Sequence, residues 1–261
     1  MGNQVAIITG ATSGIGASFA EKLGARGFDL VLVGRRKEKL EQFAGVLRTS
    51  HSISTRVMLC DLATPEGIQE VESLIGDTSN LGILVNNAGF GITGNFADTC
   101  IEDNIDMIQV HVTATVRFTR KALPGMLAKK KGAIINVSSL AAFLPQLSGG
   151  VTYSATKSYL NAFSETLSKE LRGSGVRIQA LCPGFTLTDF HDRPGLHGFS
   201  RASVPKIAWM TADKVVDQSL KSLEHDRVIV IPGYLNQMIA VIGRNPLFVW
   251  LADRVMENRK G

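Results

Sequence analysis

The chain has 261 residues, 44% of them hydrophobic and 20% charged, so it holds apolar material for a substantial core and no segment poor enough in it to stay disordered. Its net charge of +5 is spread along the chain, and the one basic run, Lys129-Lys130-Lys131, lacks interleaved aromatics; it reads as a solvated helix end, with no nucleic acid expected as partner. Cys60, Cys100 and Cys182 lie far apart with neither C-x-x-C nor metal-ligand spacing, which argues for reduced thiols and a cytoplasmic protein.

Residues 5–9 (VAIIT) make the first predicted strand. No basic n-region or cleavage site precedes it, and Ala6 stands where a myristoylation signal wants Ser or Thr, so neither secretion nor a lipid anchor is expected. The run Thr9-Gly10-Ala11-Thr12-Ser13-Gly14-Ile15-Gly16 follows and opens an amphipathic stretch at 17–27. Glycines there let the backbone turn sharply and approach a pyrophosphate, while a helix N-terminus supplies oriented N–H donors. The spacing is G-x-x-x-G-x-G, not the commoner G-x-G-x-x-G.

The second strand, 29–33, leads to Gly34, where an acidic side chain would bond a ribose 2′-hydroxyl. Arg35 and Arg36 follow instead. Guanidinium groups bind phosphate in a fixed, charge-assisted geometry, so the cofactor expected here is NADP(H) rather than NAD(H). The alternative is that both arginines merely open the solvated helix predicted at 38–48.

Further apolar runs at 55–60, 82–86, 133–137, 176–181 and 227–231 continue the alternation of strand and helix. That rhythm predicts βαβ crossovers, a parallel sheet buried on both faces and one doubly wound α/β domain spanning 1–261. Two stretches break it. Residues 185–208 lack periodicity and carry Pro194 and Gly195, as a substrate lid would, or as a plain structural excursion would. Residues 228–251 are apolar but interrupted by Pro232, Arg244 and Pro246, too short a run for a membrane span. The C-terminal extension, 232–261, is expected to be a helix packed on the body, a dimer face or a tunnel wall, with membrane-surface attachment left open.

Four polar clusters follow predicted strands: Asn86-Asn87-Ala88-Gly89, Ser138-Ser139, Tyr153-Ser154-Ala155-Thr156-Lys157 at a helix start, and Pro183-Gly184-Phe185-Thr186-Leu187-Thr188. All fall at carboxyl ends of strands, where open α/β sheets bind ligands. Tyr153 and Lys157 are four apart and share a helix face. Reducing a carbonyl needs a proton on oxygen as hydride reaches carbon, and a free tyrosine, with a pKa of about 10, exchanges protons sluggishly near neutrality. An ammonium one turn away is expected to lower that pKa, and a serine hydroxyl to hold the carbonyl oxygen.

In this order and at these intervals, TGATSGIG, Asp61-Leu62, NNAG, Ser139, YSATK and PGFTLT resemble the short-chain dehydrogenase/reductase family over roughly residues 4–190. The resemblance implies a Rossmann-type seven-stranded parallel sheet of order 3-2-1-4-5-6-7 and assembly as a homodimer or homotetramer. It implies that Gly10, Ser13, Gly14, Ile15 and Gly16 line the cofactor, that Asp61 and Leu62 hold its adenine, and that Asn87 and Gly89 line the middle of the site. Tyr153 would be the acid/base, and Ser139 would orient substrate. Lys157 would bind the nicotinamide ribose, and Phe185 and Thr188 would hold the nicotinamide end. The tail VIVIPGYLNQMIAVIGRNP is similar to a bacterial, NADP-preferring reductase subgroup loosely related to hydroxysteroid and 3-ketoacyl reductases.

Two departures from the family pattern stand out. His111 occupies the place of an Asn that supports a helix kink and a water chain to the lysine, so it is expected to hold the relay water and to make activity fall at acidic pH, or else to be a satisfied histidine on the helix unrelated to the relay. Tyr153 follows Ser139 by 14 positions, one more than usual, with Ser148-Gly149-Gly150 absorbing the extra residue, or else with Ser138 as the working serine. His191, His197, Asp189 and Asp192 lack metal spacing and read as solvated. Phe90, Phe143, Leu144, Pro145, Phe185, Phe190 and Phe199 are candidates for an apolar pocket, about half of them being ordinary packing. Together these features imply reduction of an apolar ketone or aldehyde, or oxidation of the alcohol. The alternative is a catalytically weak NADP(H)-binding sensor or scaffold.

Overall fold

A computed structural model describes residues 3–144, 149–192 and 201–243. Its centre is a sheet of β1 (Val5–Thr9), β2 (Asp29–Gly34), β3 (Thr55–Leu59), β4 (Leu81–Asn86), β5 (Gly132–Val137), β6 (Val176–Leu181) and β9 (Ile229–Val230). The order is β3-β2-β1-β4-β5-β6-β9 and every pairing is parallel, so the seventh strand of the sheet lies where the sequence placed it. It is shorter than its apolar run, because only Ile229 and Val230 pair with β6. Between β6 and β9 a small parallel pair, β7 (Thr186–Leu187) and β8 (Met210–Thr211), joins the two ends of residues 185–208.

Both sheet faces are covered, which explains the unbroken apolar strands. Ala6, Ile8, Leu30, Leu32, Val85 and Ile135 point to the side packed by α1 (Gly14–Gly24), α2 (Lys37–His51) and α7 (Ala212–Leu223). Their neighbours Ile7, Val31, Leu84 and Ile134 point to the other, against α3 (Pro65–Asp77) and α5 (Ala114–Lys129). Leading into α5 are α4 (Ile101–Ile108) and a π-helical turn, Gln109–Thr113, closed by the Ala114 N–H donating to the Gln109 carbonyl. No periodicity in the sequence signals this turn.

The long helix α6 (Val151–Glu170) begins well before its apolar periodicity and so contains Tyr153 and Lys157 in its first two turns. In α8 (Tyr234–Gly243) Asn236 and Ala240 are buried while Tyr234, Met238 and Val241 are exposed. Among the described residues no helix is long and apolar enough to cross a membrane. Pro145, Ser148, Pro194, Gly195, His197, Phe199 and residues 244–261 lie outside the described residues.

Candidate active site

The glycine run leaves β1 through Gly10 at φ +67° and reaches α1 through Gly14 at φ +58°, a left-handed conformation that L side chains resist. Gly16 has a different reason to be glycine. A Cβ there would stand 2.3 Å from the Gly10 carbonyl oxygen and 2.5 Å from Asn87 Nδ2. Asn87 occupies that space to donate to the carbonyls of Thr9 (2.9 Å) and Gly10 (3.1 Å), while Thr9 Oγ1 accepts the N–H groups of Asn87 and Ala88 at 3.0 Å each. The loop after β4 is thus locked to the glycine loop. Gly16→Ala forces one of them to move, and melting temperature is expected to fall as about 1–3 kcal/mol of stability is lost. Thermal unfolding measures it, and a melting curve equal to the parent's would contradict the packing described.

Ser13 caps α1 in extended conformation without giving its side chain to the helix. Its hydroxyl instead receives Arg36 Nη2 at 3.0 Å, and the same guanidinium nitrogen donates to Thr12. Arg36 is therefore not merely a solvated helix opener; it is anchored over the phosphate loop. Arg35 is 64% exposed and pairs with Asp61 Oδ2 at 3.3 Å. Asp61 also accepts the Ala63 N–H, and Leu62 is buried in the core. These groups line the edge of the sheet at the β2 and β3 tips. Glycines that a Cβ would close, an uncapped helix N-terminus and an anchored guanidinium together fit a dinucleotide with a phosphorylated ribose.

Beyond them opens a cavity of about 360 Å³. Gly10, Ser13, Gly14 and Ile15 line one end of it, with Asn87 and Gly89 in the middle. Ser139, Tyr153 and Lys157 line the other end, beside Phe185 and Thr188. Gly16, Arg35, Arg36, Asp61, Leu62 and His111 lie outside its walls. Thr188 sits against the phosphate loop, since a Cβ on Gly14 would meet its Cγ2 at 2.7 Å. The Arg201 guanidinium donates to the Thr188 carbonyl at 2.6 Å, and Met210 N–H to that of Phe185 at 2.9 Å, so the described parts of 185–208 are tied at the mouth.

The two serines divide cleanly. Ser138 is 2% exposed and its hydroxyl donates to the Lys157 carbonyl at 2.8 Å. Ser139 accepts the Ala141 N–H at 3.1 Å, which leaves its own O–H for its hydrogen bond with Tyr153. Within the longer interval between Ser139 and Tyr153, Gly149 stands at φ +91° and its carbonyl accepts the Gly94 N–H, while Ser148 lies outside the described residues.

Electrostatics differ from expectation. Burial pushes the Tyr153 phenol above its ordinary value, with the Ser139 hydrogen bond pulling it back only in part. Burial also pushes Lys157 down to about 7. Its Nζ donates to the Val137 carbonyl at 2.9 Å and stands 5.6 Å from the Tyr153 ring centroid. At that range the amine does not offset the loss of water around the phenol, so the chain by itself leaves Tyr153 above its ordinary value.

His111 also departs from its expected role. It is 1% exposed, and Nε2 accepts the Phe90 N–H at 3.2 Å while Nδ1 bonds Thr156 Oγ1 at 2.9 Å. Neither ring nitrogen is left for a relay water. Burial, with Lys157 nearby, holds its pKa well below the ordinary histidine value, which opposes the acid switch expected of it.

Of the apolar candidates, Leu144, Phe185 and Phe190 line the cavity, whereas Phe143 is 2% exposed in the core and Phe90 packs on the α3/α5 side. Sequence reading missed Ile92, Thr93, Leu140 and Ala141 of the cavity wall, and the tether Thr156. Only their position just after β4 and β5 could have pointed to the first four.

A short chain dehydrogenase family profile matches residues 4–194. Very-long-chain 3-oxoacyl-CoA reductase of Homo sapiens is 32% identical over 213 residues, covering 77% of this chain and 68% of that protein. Among solved structures, a short-chain dehydrogenase from Sphingobium yanoikuyae in complex with NADPH is 33% identical, with a TM-score of 0.82 over 88% of each chain. The bulky-bulky ketone specific alcohol dehydrogenase from Comamonas testosteroni is 27% identical, with a TM-score of 0.79 over 100% of this chain and 94% of that one. With the strand order, the glycine loop and the Ser139/Tyr153/Lys157 arrangement, these matches settle the kinship: the chain belongs to the short chain dehydrogenase family.

Proposed function

We propose that the protein is an NADP(H)-dependent oxidoreductase that interconverts an apolar ketone or aldehyde and its alcohol, with Tyr153 as general acid/base. One observation carries the reading: Tyr153, hydrogen-bonded with Ser139, and Lys157 line the same cavity as the glycine cradle that Arg36 overhangs. The cofactor, when bound, supplies or accepts the hydride at the substrate carbon. Gly10, Ser13, Gly14 and Ile15 would hold its phosphates, Arg36 its 2′-phosphate, and Lys157, Phe185 and Thr188 its nicotinamide half. Its relative from Sphingobium yanoikuyae is bound to NADPH, which supports the cofactor choice.

In reduction, the Ser139 hydroxyl would donate to the carbonyl oxygen and align it with Tyr153. The phenol proton would move onto that oxygen as negative charge develops there. The Lys157 ammonium would then offset the phenolate left behind. A phenol kept protonated by burial is in the right state for this direction at neutral pH. Leu140, Leu144, Ile92 and Phe190 give the cavity an apolar wall, which favours a bulky apolar substrate such as a steroid-like, aromatic or acyl carbonyl. Assembly as a homodimer or homotetramer belongs to the same reading and is open to sedimentation.

The test is a carbonyl panel with NADPH, followed by nicotinamide absorbance. Turnover on apolar members supports the proposal, and tight NADPH binding with no turnover on any member would favour a sensor. Direction gives a further prediction. Alcohol oxidation needs the phenolate, and Tyr153 is raised, so the oxidation rate is expected to climb with pH from neutrality upward, while reduction, which needs the phenol and the Lys157 ammonium, does not climb. Parallel pH profiles for the two directions would be incompatible with Tyr153 as the titrating group.

A further inference from the structure

We propose that His111 is a positioning residue whose ring, bonded to the Phe90 backbone and to Thr156, fixes Tyr153 at the reactive end of the cavity. This rests on the reading of Tyr153 as the acid/base. The Phe90 N–H can donate only to a nitrogen that carries no proton, so Nε2 is the acceptor and the neutral ring holds its proton on Nδ1. Nδ1–H then donates to Thr156 Oγ1 at 2.9 Å, and the Thr156 hydroxyl donates to the Tyr153 carbonyl, also at 2.9 Å. Three bonds run in one sense, from the loop after β4, through the π-helical turn, to the backbone of Tyr153.

The ring also packs behind Tyr153, outside the cavity. It meets the Tyr153 ring edge-on at 5.8 Å with an interplanar angle of 74°, and Phe190 faces Tyr153 from 6.0 Å. The 87–90 loop lies flush against the imidazole, because a Cβ on Gly89 would stand 2.7 Å from Nε2. The π-helical turn is what aims His111 here; a regular helix would carry one residue fewer and rotate the side chain away. The titratable groups facing the ring are Tyr153 and Lys157, both on α6. A second proton would give the ring two donors, displacing the Phe90 N–H and opposing the Lys157 ammonium, so the neutral Nδ1–H form is the one the tether needs.

The two halves of the tether can be cut separately. An Asn amide reaches where Nδ1 stands and keeps the Thr156 bond, whereas a Gln amide reaches where Nε2 stands and keeps only the Phe90 bond. His111→Gln and Thr156→Val are each expected to lower kcat about 10- to 30-fold with KM for the carbonyl within about twofold, as a misplaced acid would. The double variant should be no slower than either single change, since both break one path. Thr156→Ser should restore most of the loss, and His111→Asn, which keeps the Thr156 bond, should lose less than His111→Gln.

Melting curves and NADPH affinity, read by nicotinamide fluorescence, are measured alongside and should change little. Imidazole nitrogen NMR of the parent, with the His111 signal assigned by its loss in His111→Asn, should show the neutral Nδ1–H tautomer from neutral pH into the mildly acidic range. Unchanged kcat in His111→Gln or Thr156→Val, multiplicative losses in the double variant, or an Nε2–H or protonated ring in that range would each overturn the proposal. The tautomer is read without turnover, so the proposal can fail while Tyr153 survives as the acid, and the reverse.

Discussion

Tyr153→Phe should reduce carbonyl turnover by about 10²–10⁴-fold while leaving the NADPH dissociation constant within about threefold of the parent. The change removes one oxygen from a buried ring and keeps its packing against His111 and Phe190. The glycine cradle and Arg36 belong to other elements and remain. Lys157 also remains, because its amine donates to the Val137 carbonyl rather than to the phenol. Steady-state kinetics with single-turnover measurement separate proton transfer from release, and fluorescence titration reports binding. A variant that retains more than about a tenth of the parent's turnover would show that the proton comes from another group, and the reaction assignment would have to be abandoned.

The second large effect concerns Arg36. Arg36→Ala should raise KM for NADPH by roughly 10- to 100-fold and leave NADH utilisation nearly unchanged, which follows from a charge-assisted phosphate bond worth about 1.5–3 kcal/mol. Thr12 and Ser13 hold the guanidinium in place, so little ordering remains to be done when a phosphate arrives. Arg35→Ala should do less, because Arg35 is largely exposed and already paired with Asp61. Cofactor competition assays on both variants check this. Equal losses with NADPH and NADH in Arg36→Ala would mean that residue 36 supports the loop rather than a 2′-phosphate.

Most of the architecture was legible because strand–helix alternation has few compact solutions. Seven apolar runs became the seven strands of one sheet, and side chains alternate between two helix-covered faces. The glycine loop was equally plain, since a sharp turn into a helix limits residue choice at Gly10 and Gly14. Less was visible at the reactive end. Ser138 and Ser139 are interchangeable in a string of letters; only the backbone leaving β5 sends one hydroxyl to the Lys157 carbonyl and the other to Tyr153.

By itself, then, the chain's pattern of residues determined a doubly wound sheet, a glycine-rich loop at the end of β1 and a Tyr-Lys pair on one face of α6. These follow from local geometry, namely the period of helices and strands and the freedom of glycine. The directions of the Tyr153 and Lys157 shifts and the occupation of both His111 nitrogens were decided only in three dimensions. Each depends on how much water is removed from a group and on which distant backbone atom meets it, and neither quantity is carried by sequence neighbours.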